Sequence, residues 1–502
     1  MKRVLVALVV AAASLRGAAA DDARKPNVLV ILADDLGYGD VQSYNPTRGK
    51  IPTPALDRLA AQGLRFTDGH SSSGVCSPSR YTLLTGRYHW RTRLQSGIVD
   101  VHGEPLIAPD RLTIAGLAQQ QGYRTACIGK WHLGWHWARK TEDGGRRTED
   151  GGPRTAIDYT KPIAGGPITR GFDSYFGTDV PNWPPYCFIE NDRTVGLPSD
   201  PLPAHQLRNH LASKAGPMLP GWKLEEILPA LEQRACAFIA ESAAQPQPFL
   251  LYLPLTAPHT PLAVTPEWQG KSGLGVYADF VMQTDATIGR VLEALDRSGA
   301  ASNTLVLFTS DNGCAHYIGV AELEARGHFP SGPLRGYKSS VWEGGHRVPF
   351  LVRWPGVVAA GTVCTQLVHQ ADVMATLADV LGTKLPDNAG EDSFSLLPLL
   401  RGGDQSVRPH AISCAAHGVP GLRRGDWKFI PGREPQLYQL ADDIGETNNL
   451  ASARPDVVQE MRTLLDKLIT DGRSTPGPPQ RNDVEVRRHD PVRAALPREP
   501  GS

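Results

Sequence analysis

The chain has 502 residues and carries 52 Lys and Arg against 52 Asp and Glu. That balance excludes the strong positive field that a nucleic-acid binder or a polybasic membrane reader needs. A chain this long can bury a core without disulfide or metal staples. Its 51 Gly and 42 Pro predict long irregular loops, without the period of collagen.

Lys2 and Arg3 precede the apolar run Val4 to Ala13, and Ala18-Ala19-Ala20 offers small residues at a cleavage site. Residues 1–20 therefore read as a secretory signal peptide. The run is too short to span a bilayer, and Arg16 interrupts it. An exported protein is expected, periplasmic or secreted, with no stable membrane insertion and a mature chain three charges to the acidic side. The seven cysteines form no CxxC pair, which leaves little for zinc or dithiol redox chemistry. If Cys76 is put to another use, six remain, and their pairing is open.

Val28 to Leu32 is a continuous apolar run of the kind buried in parallel sheets, and it ends at Asp34-Asp35. Helices are expected over 53–62, 77–85 and 113–121, the last stopped by Gly122. A strand follows from Tyr123 to Ile128 and ends at Gly129-Lys130-Trp131-His132. Residues 139–145 and 146–152 repeat RKTEDGG and RRTEDGG, which reads as a solvated loop. Further on come a strand over 249–253, a long amphipathic helix over 277–297, and a strand over 304–309 that ends at Asp311-Asn312. The alternation predicts an α/β fold: a large, mainly parallel sheet sandwiched by helices, spanning residues 21–402. In such sheets ligands bind at the carboxyl ends of the strands, where the loaded segments fall. A helix over 372–381 follows. Two short strands at 427–430 and 437–440 and a helix over 455–470 predict a small C-terminal α+β subdomain with an antiparallel sheet, residues 403–472. Residues 473–502, rich in Pro and Arg, are expected to be disordered.

The string Cys76-Ser77-Pro78-Ser79-Arg80 leads into Tyr81-Thr82-Leu83-Leu84-Thr85-Gly86. A Cys at a helix N-terminus favours thiolate. The cysteine phosphatase loop, however, needs five residues between Cys and Arg, and here there are three. A Cys–His protease reading leaves Pro78 and Thr85-Gly86 unexplained. CSPSRYTLLTG resembles the signature of the type I sulfatases, arylsulfatase A-like enzymes of the alkaline phosphatase superfamily. The resemblance implies that Cys76 is oxidised by a formylglycine-generating enzyme to 3-oxoalanine, whose hydrate attacks sulfur and then expels sulfate. It implies Arg80, Lys130, His132, His259 and Lys338 as further catalytic residues, with His132 the base for sulfate elimination and His259 facing the leaving group.

Asp34, Asp35, Asp311 and Asn312 are hard oxygen ligands suited to Ca²⁺ or Mg²⁺. In the family their counterparts bind calcium beside the formylglycine, so Cys76 is counted with them. Balanced against this are two rivals. One is a phosphonate monoester or phosphodiester hydrolase with the same nucleophile; the other is a catalytically silent glycan-binding homologue. A sulfated carbohydrate is the expected substrate. Its candidate contacts are Asp179, Trp183 and Tyr186, in a Pro-rich loop, with His328 and Arg335 ahead of Lys338.

Overall fold

In the computed structural model, residues 25–141, 155–202 and 213–487 are described. The signal-peptide reading lies outside them, as does most of the tandem repeat. Ten strands form one sheet, in the order Thr362–His369, Leu64–His70, Phe350–Arg353, Thr304–Ser310, Asn27–Ala33, Phe249–Pro254, Arg124–Lys130, Ser174–Thr178, Ile189–Glu190 and Arg193–Thr194. The five strands from Thr304–Ser310 to Ser174–Thr178 run parallel. Phe350–Arg353 runs antiparallel to both its neighbours, so the sheet is mixed around a parallel centre.

The central strand Asn27–Ala33 shows why the sheet is covered twice. Successive side chains point to opposite faces. Val28, Val30 and Leu32 join one apolar cluster with Leu83, Leu84, Leu117 and Leu377, while Leu29, Ile31 and Ala33 join another with Leu56, Leu231 and Val291. Helices Cys76–Thr85, Ile114–Gln120 and Asp372–Val380 thus cover one face, and Pro54–Ala61, Ile227–Ala243 and Val276–Arg297 the other. Each buried Val, Leu or Ile contributes roughly 1.5–3 kcal/mol. Gly129 lets the strand that ends at Lys130 approach its neighbour. Its φ is +138°, and a Cβ there would lie 1.8 Å from the Pro254 carbonyl oxygen.

The C-terminal part is an antiparallel meander of Ala411–Cys414, Pro420–Arg424, Trp427–Ile430 and Gln436–Gln439, with helix Pro455–Asp471 laid on it through Val457, Met461, Leu465 and Leu468. Residues 473–487, expected to be disordered, are not. Asp483 pairs with the buried Arg87 at 3.0 Å, its N–H donates to Arg91 O, and Ser474 Oγ donates to Asp392 at 2.6 Å. Buried arginines near residue 90 need acceptors, and this polar segment supplies them; no local periodicity encodes that. All seven cysteines are free thiols.

The meander is joined to the large sheet by buried charge. Lys428 Nζ lies 3.0 Å from Glu343 and 2.8 Å from Glu446, and Arg423 and Arg347 each bridge Asp68 and Glu343 at 3.1–3.3 Å. Three carboxylates meet three cations. The donor atoms of His70, Glu343 and His346 converge within 4.8 Å, a spacing that metal ligands share, but Lys428 Nζ holds the cation position, 3.3 Å from His346 Nε2. Burial keeps both imidazoles neutral by pushing their pKa values down. Lys428→Met should therefore cost about 3–5 kcal/mol, because it leaves buried carboxylates uncompensated. A urea midpoint within error of the parent would show that the network does not hold the subdomain in place.

Candidate active site

The carboxyl ends of four parallel strands, and the loops after them, converge on Cys76. Helix Cys76–Thr85 begins at Cys76 and stops at Gly86, whose φ of +64° closes it in the left-handed region. Every residue of the helix is buried, and Cys76 itself is 2% exposed. The thiol donates to Asp34 Oδ1 at 3.6 Å. Burial pushes the thiol up to about 12 despite Lys130 and Lys338 nearby. The helix N-terminus does not produce a thiolate here, so an unmodified Cys76 is a poor nucleophile at neutral pH.

The three acidic residues each have a cation. Lys130 Nζ donates to Asp34 Oδ2 at 2.7 Å, Lys338 Nζ to Asp35 Oδ2 at 2.7 Å, and Arg80 Nε and Nη2 both to Asp311 Oδ2 at 3.1 and 2.7 Å. Arg80 Nη1 also donates to the Lys130 carbonyl at 3.1 Å, which locks the two cations together. The formal charge of this group is zero. A divalent cation would raise it to +2, the complement of a departing sulfate dianion.

Burial works against the Asp34 charge, but the Lys130, Arg80 and Lys338 cations together hold its carboxyl well below the usual range. Burial and the Asp34 charge push Asp311 up to about 7. A further positive charge would relieve that strain.

The donor set fits a hard cation. Ligand atoms of Asp34, Asp35, Cys76 and His259 lie within 4.8 Å of one another. Asp311 Oδ1 accepts from the Asp35 N–H at 3.1 Å, and Asn312 Nδ2 donates to Asp35 Oδ1 at 2.7 Å. Asn312 Oδ1 is buried with no hydrogen-bond partner, as a carbonyl held for a metal ion would be. Asp35 sits at φ 65°, and Tyr277 Oη, which donates its proton to Asp40, lies 3.3 Å from the Asp35 carbonyl. Strain of this kind persists only where the surroundings hold it.

Two neutral histidines flank the group. His132, at φ 54°, directs Nε2 to the Val99 carbonyl at 3.0 Å, and its Nδ1 is buried without a partner. That contact makes Nε2 the donor and leaves a lone pair on Nδ1. Burial, with Lys130 and Arg80, holds its pKa well below the ordinary value. His259 uses Nδ1 on the Thr260 carbonyl and places Nε2 3.7 Å from Asp35 Oδ2; burial and Lys338 push it down to about 4.

The structure thus brings together Asp34, Asp35, Cys76, Arg80, Lys130, His132, His259, Asp311, Asn312 and Lys338. It divides the candidate substrate contacts. Trp183 packs edge-on against His132, with ring centroids 5.4 Å apart. Asp179 instead accepts from the His132 N–H at 3.1 Å and Trp135 Nε1 at 3.0 Å, so it positions the His132 backbone. Tyr186 is buried and donates to the Asn182 and Lys214 carbonyls. His328 is fully buried against Asp40 at 2.9 Å, beneath the Asp34–Asp40 loop. Arg335 stacks on Trp342 and donates to the Glu446 carbonyl at 2.8 Å, tying down the C-terminal subdomain. These last three are scaffold: each satisfies a buried polar or aromatic group before a ligand arrives. Sequence reasoning missed Tyr277, which it placed only at the start of the long helix, and Asp40, which it did not single out.

The large mixed sheet flanked by helices, with the site at its strand ends, is an alkaline phosphatase-like α/β fold. The sulfatase family profile matches residues 26–383, and a profile described as N-sulphoglucosamine sulphohydrolase, C-terminal, matches 337–471. The chain is 34% identical to the N-acetylgalactosamine-6-O-sulfatase of Bacteroides thetaiotaomicron, over 89% of this chain and 94% of that one. It is 33% identical to human arylsulfatase A, over 91% and 90%. A solved structure concerned with the metabolism of multiple glycosaminoglycans by Bacteroides thetaiotaomicron superposes with a TM-score of 0.78 at 30% identity, covering 89% of this chain and 99% of that one. Ps i-CgsB in complex with k-i-k-neocarrahexaose gives 0.69 at 25% identity, covering 91% and 95%. The chain belongs to the type I sulfatase family, whose members are sulfuric ester hydrolases.

Proposed function

We propose that the protein is an exported, formylglycine-dependent and calcium-binding sulfatase that removes sulfate from a sulfated carbohydrate. The observation that carries this reading is the meeting of Arg80, Lys130 and Lys338 with Asp34, Asp35 and Asp311 around Cys76. Oxidised by a maturation enzyme and hydrated, Cys76 would supply the hydroxyl nucleophile that its high-pKa thiol does not. Asp34, Asp35, Asp311 and Asn312 would hold Ca²⁺, or Mg²⁺ in its place, and the ion would polarise a sulfate oxygen.

The chain's own side chains do the rest. Arg80, Lys130 and Lys338 offset the charge of the sulfate and of the leaving oxygen. His132 Nδ1, neutral and unpartnered, takes the proton whose loss expels sulfate. His259 is held neutral partly by Lys338; a sulfate anion on Lys338 weakens that influence, and the imidazole can then pass a proton to the leaving oxygen.

The N-acetylgalactosamine-6-O-sulfatase activity for which the Bacteroides relative is named and the oligosaccharide in complex with Ps i-CgsB favour a sugar substrate. The test is turnover of a panel of sulfated mono- and oligosaccharides, with an aryl sulfate and an aryl phosphodiester as controls. Sulfate release from a sugar is expected to be fastest. Faster diester cleavage would overturn the sulfatase reading, and activity confined to the aryl sulfate would overturn the carbohydrate.

A further inference from the structure

Beside His132, the structure holds an ammonium group that the chemistry above does not use. Trp183 presses its edge on the His132 ring, and Lys214 Nζ lies over the Trp183 ring, 4.2 Å from its centroid. Lys214 Nζ is therefore within about 10 Å of the His132 ring, at the range of a neighbouring sugar rather than of the scissile sulfate.

Its position is fixed at both ends. Its backbone N–H donates to the Asn182 carbonyl at 3.2 Å, and its carbonyl accepts from Tyr186 Oη at 2.6 Å. Its ammonium donates to Asp100 Oδ1 at 2.7 Å. Asp100 follows Val99, whose carbonyl holds His132 and whose N–H donates to Ser77 Oγ at 3.1 Å. Asp100, Lys214, Trp183 and His132 thus share one wall beside Cys76.

An exposed pair like Lys214–Asp100 adds at most about 1 kcal/mol of stability. The Lys214 side chain is 45% exposed and that of Asp100 76%, so both are open to solvent. Asp100 uses one of three ammonium donors, and an ammonium has no acceptor role. Its position over an aromatic face suits it to an anion lying along that ring.

We propose that Lys214, held over Trp183, is a subsite for an anionic group on the sugar that flanks the one bearing the scissile sulfate. This rests on the sulfatase reading. The anion is a uronate carboxylate or a second sulfate, which share this chemistry. Asp100 acts as the resident counter-ion that the substrate displaces.

The test compares KM and kcat for three substrates: a sulfated monosaccharide, the same sugar linked to a hexuronate, and the same sugar linked to a second sulfated but otherwise neutral sugar. Lys214→Met keeps the apolar stem over Trp183 and removes the charge. It should raise KM about tenfold for whichever flanked substrate supplies the anion, with kcat little changed. The monosaccharide should shift by less than about twofold. Asp100→Asn should act oppositely and lower KM for the same flanked substrate. The flanked substrate that responds identifies the source of the anion.

Equal effects of Lys214→Met on all three substrates would overturn the proposal, since Lys214 would then only shape the wall. So would no effect on any, or a raised KM in Asp100→Asn. If the parent protein releases sulfate neither from any of the three nor from an aryl sulfate, the sulfatase reading itself fails, and that failure is visible without any variant.

Discussion

Replacing Cys76 by Ala should abolish sulfate ester hydrolysis, by about 10⁴-fold or more, as expected when a covalent nucleophile is removed. Folding should survive, because the change deletes one sulfur from a helix whose other buried side chains remain. Cys76→Ser separates the proposed chemistry from a simple requirement for an oxygen nucleophile. A serine hydroxyl reproduces one oxygen but not a diol, and it offers no route to expel sulfate by re-forming an aldehyde. It should therefore fall well below the parent in steady-state turnover. Mass spectrometry of the peptide spanning Cys76, from protein made in its native source, should show CHO in place of CH₂SH. Full turnover by protein that retains the thiol would remove Cys76 from the proposal, since a thiol at about 12 has no thiolate to offer near neutrality.

Removal of divalent cations should have the next largest effect. Burial and the Asp34 charge push Asp311 up to about 7, and Asn312 Oδ1 is buried with no hydrogen-bond partner, both of which a bound cation would offset. Exhaustive chelation should reduce sulfate release at least tenfold, and added Ca²⁺ should restore it. Binding to the folded state alone should also raise the unfolding free energy by about 2.7 kcal/mol at a hundredfold excess over Kd. Asn312→Ala removes one neutral ligand without altering the charge balance. It should shrink the Ca²⁺-dependent rise in Tm. The Cys76→Ala protein, which keeps Asp34, Asp35, Asp311 and Asn312, should retain part of that rise although it turns nothing over, which reads these four ligands apart from turnover. Unchanged activity and Tm after chelation would mean that Arg80, Lys130 and Lys338 alone meet the charge of these carboxylates.

Much of the fold could be read from Val28 to Leu32, from Phe249 to Leu253 and from Thr304 to Thr309, because a strand buried on both faces must be apolar at every position. The site was legible for a related reason. Asp34-Asp35, Lys130-Trp131-His132 and Asp311-Asn312 follow such runs at once, so chain order alone sets them at one edge of the sheet. What stayed hidden depends on contacts between distant residues. His328 and Arg335 lie close to Lys338 in the chain, yet His328 is claimed by Asp40 and Arg335 by Trp342 and Glu446. Asp40 and Glu446 lie too far from them in sequence for any pattern to link them. The antiparallel strand Phe350–Arg353 escaped for another reason. It has four residues, and nothing in four apolar positions tells direction. The ordered stretch after Gly472 is mostly polar and has no periodicity, and its hydrogen bonds reach arginines nearly 400 positions earlier.

The strand Ala411–Cys414 lies against the segment that leads into Cys76. Cys414 N–H donates to the Ser72 carbonyl, Gly74 N–H donates to the Cys414 carbonyl, and Ser413 Oγ donates to the Ser71 carbonyl. The end of the chain, made last, therefore braces the segment on which Cys76 sits. Residues 71–74 satisfy their backbone groups on a strand outside the large sheet, so the setting of the site depends on the C-terminal meander as well as on the sheet.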